Sequence, residues 1–180
     1  MRKYTLFSIQ LLLALTAIPI AFAGSLLAAS TGTVAATVTP QNISVSVSDG
    51  SVAYGTLDLN ATKDTTSSGV DDTQVATNDG NVAEDFNIRS TDALGGTTWT
   101  LAGAAGADQY THAVCTSGSG TPDPCDTSAT WTNMTTNYTS LATNIASSGT
   151  NKFDLKIGTP TSSSDYVQKT ITVTVQAVIH

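Results

Sequence analysis

Basic residues are scarce: seven Lys+Arg in 180 residues, against fourteen Asp+Glu, for a formal charge of −7. Nucleic acid is excluded as a partner, because Lys and Arg must replace the counterions of the phosphates. Histidine occurs twice, at His112 and His180, with no H-E-x-x-H pattern, so the clustered ligands of a zinc hydrolase are missing. Glu84 is the single glutamate beside thirteen Asp, which gives no distinctive carboxylate pair for glycoside hydrolysis. No phosphate-cradling glycine loop and no nucleophile elbow occurs. No catalytic residue is expected, and the chain reads as non-enzymatic. Hydroxyls fill the place of charge. Thr occupies 32 positions and Ser 19, while only 12% of residues are charged. Such a composition suits an extracellular, β-rich chain, since Thr packs on a pleated surface and keeps its hydroxyl wet.

Long apolar runs are confined to the start. Arg2 and Lys3 precede a largely apolar stretch from Leu6 to Ile20, and Ala21-Phe22-Ala23 before Gly24 forms an A-x-A cleavage site. The expectation is a signal peptide over 1–23, a secreted or cell-surface product, and no membrane association after cleavage. Ser8, Gln10, Thr16 and Pro19 interrupt the run, whereas a spanning helix needs about 20 clean apolar residues. The 157 residues that remain carry five basic and fourteen acidic side chains, hence −9, and are enough for one domain. Cys115 and Cys125 flank a Gly- and Pro-containing segment and are expected to form one structural disulfide across a surface loop.

Period-two alternation dominates the mature chain and no helical period stands out. Val34, Ala36 and Val38 alternate ahead of Pro40; Ile43, Val45 and Val47 lead to Asp49-Gly50, a tight hairpin signal, and on to Val52 and Tyr54. Asn60 to Thr73 reads as an exposed loop. Val75 opens a strand that ends in the turn Asn78-Asp79-Gly80-Asn81. Phe86 with Ile88, Trp99 with Leu101, then Tyr110, His112 and Val114, and Phe153, Leu155 and Ile157 mark inward faces. Ile171 to Ile179 alternates most clearly, while Asp126 to Ser148 is poorly patterned and has room for a short helix. The fold expected is all-β: one antiparallel β-sandwich, immunoglobulin-like or jelly-roll, over residues 41–180, with an N-terminal arm over 24–40.

The run Gly55-Thr56-Leu57-Asp58-Leu59, soon after a signal peptide and an alternating strand, resembles one in the TasA/camelysin family of secreted biofilm-matrix proteins. Thr77-Asn78-Asp79-Gly80-Asn81-Val82 is similar to a turn between paired strands of that family. The resemblance implies a matrix or fibre subunit that self-associates when the arm of one copy completes a sheet of the next. Val34, Ala36 and Val38 would be the donor-strand residues. Trp99-Thr100-Leu101 resembles the first motif of WxL cell-wall domains, although the C-terminal region reads Thr172-Val173-Thr174-Val175 where such domains carry a second one. A cell-wall or glycan-binding module is the alternative, with Trp99, Trp131, Tyr110 and Tyr138 as stacking platforms. No cofactor is expected. Calcium is the one metal kept open, through the oxygens of Asp71, Asp72, Asn78, Asp79, Asn81 and Asp85. Asn42, Asn60, Asn133 and Asn137 lie in N-x-S/T sequons.

Overall fold

The computed structural model describes residues 31–118 and 123–180. The expected signal peptide, residues 24–30 of the arm and the centre of the cysteine loop lie outside them. Residues 39–180 form one compact unit. Residues 31–38 have no strand and are exposed throughout, Val34 to 94% and Val38 to 90%.

Ten strands and one short helix make up the described residues of the compact unit: β1 Val45–Val47, β2 Thr62–Asp64, β3 Gln74–Asn78, β4 Glu84–Arg89, β5 Thr100–Leu101, β6 Gln109–Gly118, α1 Pro124–Ser128, β7 Thr132–Asn133, β8 Thr139–Ile145, β9 Thr150–Gly158 and β10 Thr174–Ile179. They form two sheets. The larger runs β1-β3-β9-β6-β5, with β2 also on β9 and β7 also on β6; the smaller runs β10-β4-β8. One pairing departs from the all-antiparallel expectation: β5 lies parallel to β6, Thr100 opposite Gln109. The larger sheet is therefore mixed.

Where both faces of a strand have work to do, the pleat distributes the sequence as the alternation indicates. In β9, Phe153, Leu155 and Ile157 turn inward, and in β4 Phe86 and Ile88 are fully buried. Val114 stands opposite Leu155, and Val175 and Ala177 stand opposite Ile88 and Phe86, so inward residues meet across strands. Side chains of both sheets join in one core of Ala76, Phe86, Ile88, Val114, Met134, Leu141, Phe153 and Leu155. A smaller cluster gathers Ala93, Tyr110 and Ile157, with Trp99, Leu101 and Ile171 against it.

Two expectations need correction. Asp49 and Gly50 take the positive φ values of a tight turn (62° and 70°), but no hairpin follows. β1 pairs with β3, and Val52, Tyr54 and Leu57 pack on the core from a segment that has no strand partner. Alternation marks which side chains face inward; a strand also needs a neighbour with free backbone groups. Residues 34–38, expected as part of an arm, form no strand among the described residues. The polar stretch 60–73 is no simple exposed loop either. It contains β2, and Thr65 and Thr66 are buried because Thr65 donates to Asp154 (2.7 Å) and its N–H to Leu155 O (2.9 Å). The poorly patterned region is divided among α1, β7 and β8, with Met134 and Leu141 delivered to the core.

Candidate functional site

The Asn78–Asn81 turn fixes where the N-terminal segment leaves the fold. Asn81 Nδ2 donates to Pro40 O (2.8 Å), Asn42 N–H donates to Asn81 Oδ1 (2.8 Å), and Asn81 N–H donates to Asn42 O (3.1 Å). Asp79 N–H reaches Ser44 O, and Ser44 N–H reaches Glu84 Oε1, both at 2.8 Å. Glycine is required at position 80: a Cβ there would stand 2.2 Å from Glu84 Oε1 and 2.5 Å from Asn42 O. Residues 40–44 are thus pinned by the side chains of Asn81 in the turn and Glu84 at the start of β4.

On another part of the compact unit the two sheets leave a groove of ≈ 290 Å³ between them. Val114 and Thr116 of β6, Pro124 and Ser128 of α1, Thr132 of β7, and Thr139, Ser140 and Leu141 of β8 line it. β8 is the terminal strand of the smaller sheet. β7 pairs with β6 only through Asn133 and Thr132, opposite Ala113 and Val114, so the outer edge of β6 beyond Val114 has no strand beside it among the described residues. The lining combines the apolar Val114 and Leu141 with the hydroxyls of Thr116, Thr132, Thr139 and Ser140.

Of the expected stacking aromatics, Trp99 packs against the cluster that holds Tyr110, and Tyr138 is exposed. Tyr110 is fully buried; its hydroxyl donates to Thr91 O and burial pushes its pKa up to about 12, so it offers no face to a ligand. Lys169 Nζ sits over Trp99 (5.1 Å), Lys156 Nζ over Trp131 (5.6 Å) and Arg89 Cζ over Tyr138 (4.7 Å). Trp99 is further fixed by its Nε1–H to Ser163 Oγ (2.9 Å). These cation contacts use three of the five basic residues downstream of the signal segment. Nothing local to either partner signals these contacts, since each pair joins distant segments.

His112 is buried between Tyr54, whose hydroxyl lies 3.2 Å from Nε2, and Ser90, whose Oγ lies 2.8 Å from Nδ1. The Ser–His spacing would suit nucleophilic catalysis, but Ser90 and His112 are both sealed from solvent. Burial holds His112 down at about 4, and burial first, then Asp64, raises Tyr54 far above its ordinary value. Both rings are therefore neutral near pH 7.

Cys115 and Cys125 are joined in a disulfide. Val114 faces the core, so the pleat turns Cys115 to the outer face, opposite Asp154 on β9. The bridge hangs α1 over that face. Asp123 caps α1, accepting from Cys125 N–H at Oδ1 (2.8 Å) and from Ser117 Oγ at Oδ2 (3.0 Å). From the other side the 64–73 segment closes over the same spot, with Thr65 and Thr73 both donating to Asp154 Oδ1 (2.7 and 3.0 Å). Burial first, then Asp123 and Asp126, holds the Asp154 carboxyl above its ordinary range.

The oxygens named in sequence as calcium ligands are not brought together. Asn78 donates to Val82 O and Ile145 O, Asp85 pairs with His180 (2.7 Å), and Asp71 and Asp79 are exposed in separate turns. The one grouping of potential metal ligands among the described residues is Asp123, Cys125 and Asp154, which sequence reasoning missed. The four sequon asparagines are all exposed. No helix among the described residues is long and apolar enough to cross a membrane, and the disulfide accords with an oxidising compartment. Compared with family models, curated proteins and solved structures, the chain finds no match in any of the three.

Proposed function

We propose that this chain is a secreted, non-enzymatic structural protein of the cell surface or extracellular matrix, a β-sandwich subunit that assembles into fibres by strand exchange. The observation that carries the reading is the exposure of Val34 and Val38, at 94% and 90%, on an alternating segment with no strand partner among the described residues. Fully exposed β-branched residues in register invite burial against another copy. The acceptor is the groove between β6 and β8, where an added strand satisfies backbone groups along an open edge and alternate side chains reach Val114 and Leu141. Residues 24–40, fully extended, reach roughly 55 Å, far enough to leave their own subunit. The TasA/camelysin resemblance implies the same mode of assembly. The sealed Ser90–His112 pair supports a non-enzymatic role, and the burial of Tyr110 with the cations stacked on Trp99, Trp131 and Tyr138 weighs against a glycan-binding module.

The test compares the chain starting at Gly24 with one starting at Gln41, by negative-stain microscopy and light scattering. Filaments from the longer form and monomers from the shorter are expected. Monomers from both, or filaments from both, defeat the mechanism.

A further inference from the structure

We propose that Asp123 and Asp154 together bind a calcium ion beneath the disulfide-tethered turn α1. Asp154 is 0% exposed, and its Oδ2 has no hydrogen-bond partner among the described residues, while Oδ1 already accepts from Thr65 and Thr73. A buried carboxylate oxygen without a partner costs free energy that a proton, a water or a cation must offset. A carboxylate oxygen of Asp123, one of Asp154 and Cys125 Sγ lie within 4.8 Å of one another.

Either a proton or a cation offsets that cost, and the infrared measurement below tells the two apart. Two oxygens on one calcium ion at about 2.4 Å can stand up to about 4.8 Å apart, and the ligand atoms here lie within that limit. The donor set also chooses the ion. Cys125 Sγ is committed to the disulfide and offers no thiolate, so soft metals lose their preferred ligand. What remains is hard: two carboxylates, Ser117 Oγ beside Asp123, and Lys152 O, which accepts from Ser117 at 3.2 Å. Calcium takes six to eight oxygens in flexible geometry and fills the balance with water; two carboxylates place its affinity in the range of about 10⁻⁴–10⁻³ M found in extracellular modules. Bound there, the ion ties α1 to β9 and closes the outer face against the 64–73 segment.

The experiment uses the oxidised chain starting at Gly24 and follows thermal unfolding in EDTA, in about 10 mM calcium chloride and in matched magnesium chloride. Calcium is expected to raise Tm by roughly 3–6 °C and magnesium by much less. Asp154→Asn abolishes the calcium shift and melts in EDTA no lower than the parent, because a buried charge is gone. Should that variant fail to fold, Asp123→Asn gives the same reading, since Asn caps a helix as well as Asp does. A calcium shift no larger than that of magnesium, or one that survives both substitutions, overturns the proposal. So does an infrared band of a protonated carboxyl at neutral pH that disappears in Asp154→Asn, which would put a proton in the cation's place.

Discussion

Lowering the pH from 7 to 4 costs the folded chain about 3 kcal/mol through His112 alone. Its imidazole, 2% exposed, lies between Tyr54 and Ser90 and holds no carboxylate that would welcome a positive charge. Burial depresses its pKa from 6.5 to about 4. The unfolded chain takes up its proton near pH 6.5 and the folded chain only near 4, so between these values the unfolded state binds more protons. Stability from His112 is complete above pH 6.5, declines as pH falls to about 4, and is flat below. Asp165 acts in a lower window. Lys169 first, then the Thr97 N–H, hold its carboxyl well below the usual range, so its contribution is lost only at pH values under its unfolded 3.8. Urea unfolding at pH 7.5 and pH 5 separates the two. The parent should lose most of the His112 contribution over that interval, whereas His112→Gln, which keeps a donor and an acceptor for its neighbours, should change little. Equal pH dependence in the two proteins would remove His112 as the cause.

Removing the disulfide by the double substitution Cys115→Ser, Cys125→Ser lowers stability by about 3 kcal/mol, the chain-entropy value for a loop closed over so few residues. The sequence separation is 10. For a chain of this size the loss amounts to roughly 6–12 °C in Tm. A local effect adds to the global one. α1 has five residues, far too few to hold as an isolated helix, and its tethers are the disulfide, the Asp123 cap and the Asp126 carboxylate that accepts from Ser67 N–H (2.8 Å). With the bridge gone, α1 detaches, and the outer face over Asp154 opens to water. Hydrogen exchange should then quicken in residues 64–73 and 123–128 while β4, β8 and β10 remain protected. Unchanged Tm and unchanged exchange on reduction would show that the bridge carries no stability.

The inward faces of β4, β6 and β9 were legible because each strand has a core on one side and the two-residue pleat writes that fact directly into Phe86/Ile88, His112/Val114 and Phe153/Leu155/Ile157. The disulfide was legible from composition and spacing. Pairing was harder to read. Val52 to Leu57 carries the same alternation as a strand, yet finds no ladder, since sequence records which side is apolar and not which neighbour is present. The burial of Thr65 depends on Asp154, 89 residues away, and nothing local to either signals the partnership. The Asp123–Asp154 grouping is likewise long-range. Its one trace in the sequence is indirect: Asp123 lies two residues before Cys125, and the alternation that turns Leu155 inward turns Asp154 outward, onto the face Cys115 shares.

The assembly account rests on one contact, the arm of one copy in the groove of another. The most direct measurement adds an unlabelled peptide of residues 24–40 to the nitrogen-15-labelled chain starting at Gln41 and maps amide shifts by NMR. The account predicts saturable changes concentrated at Val114 to Thr116 of β6 and Thr139 to Leu141 of β8, absent with a peptide carrying Val34→Asp and Val38→Asp. No binding, or changes centred on the opposite edges at β1 and β10, would contradict it.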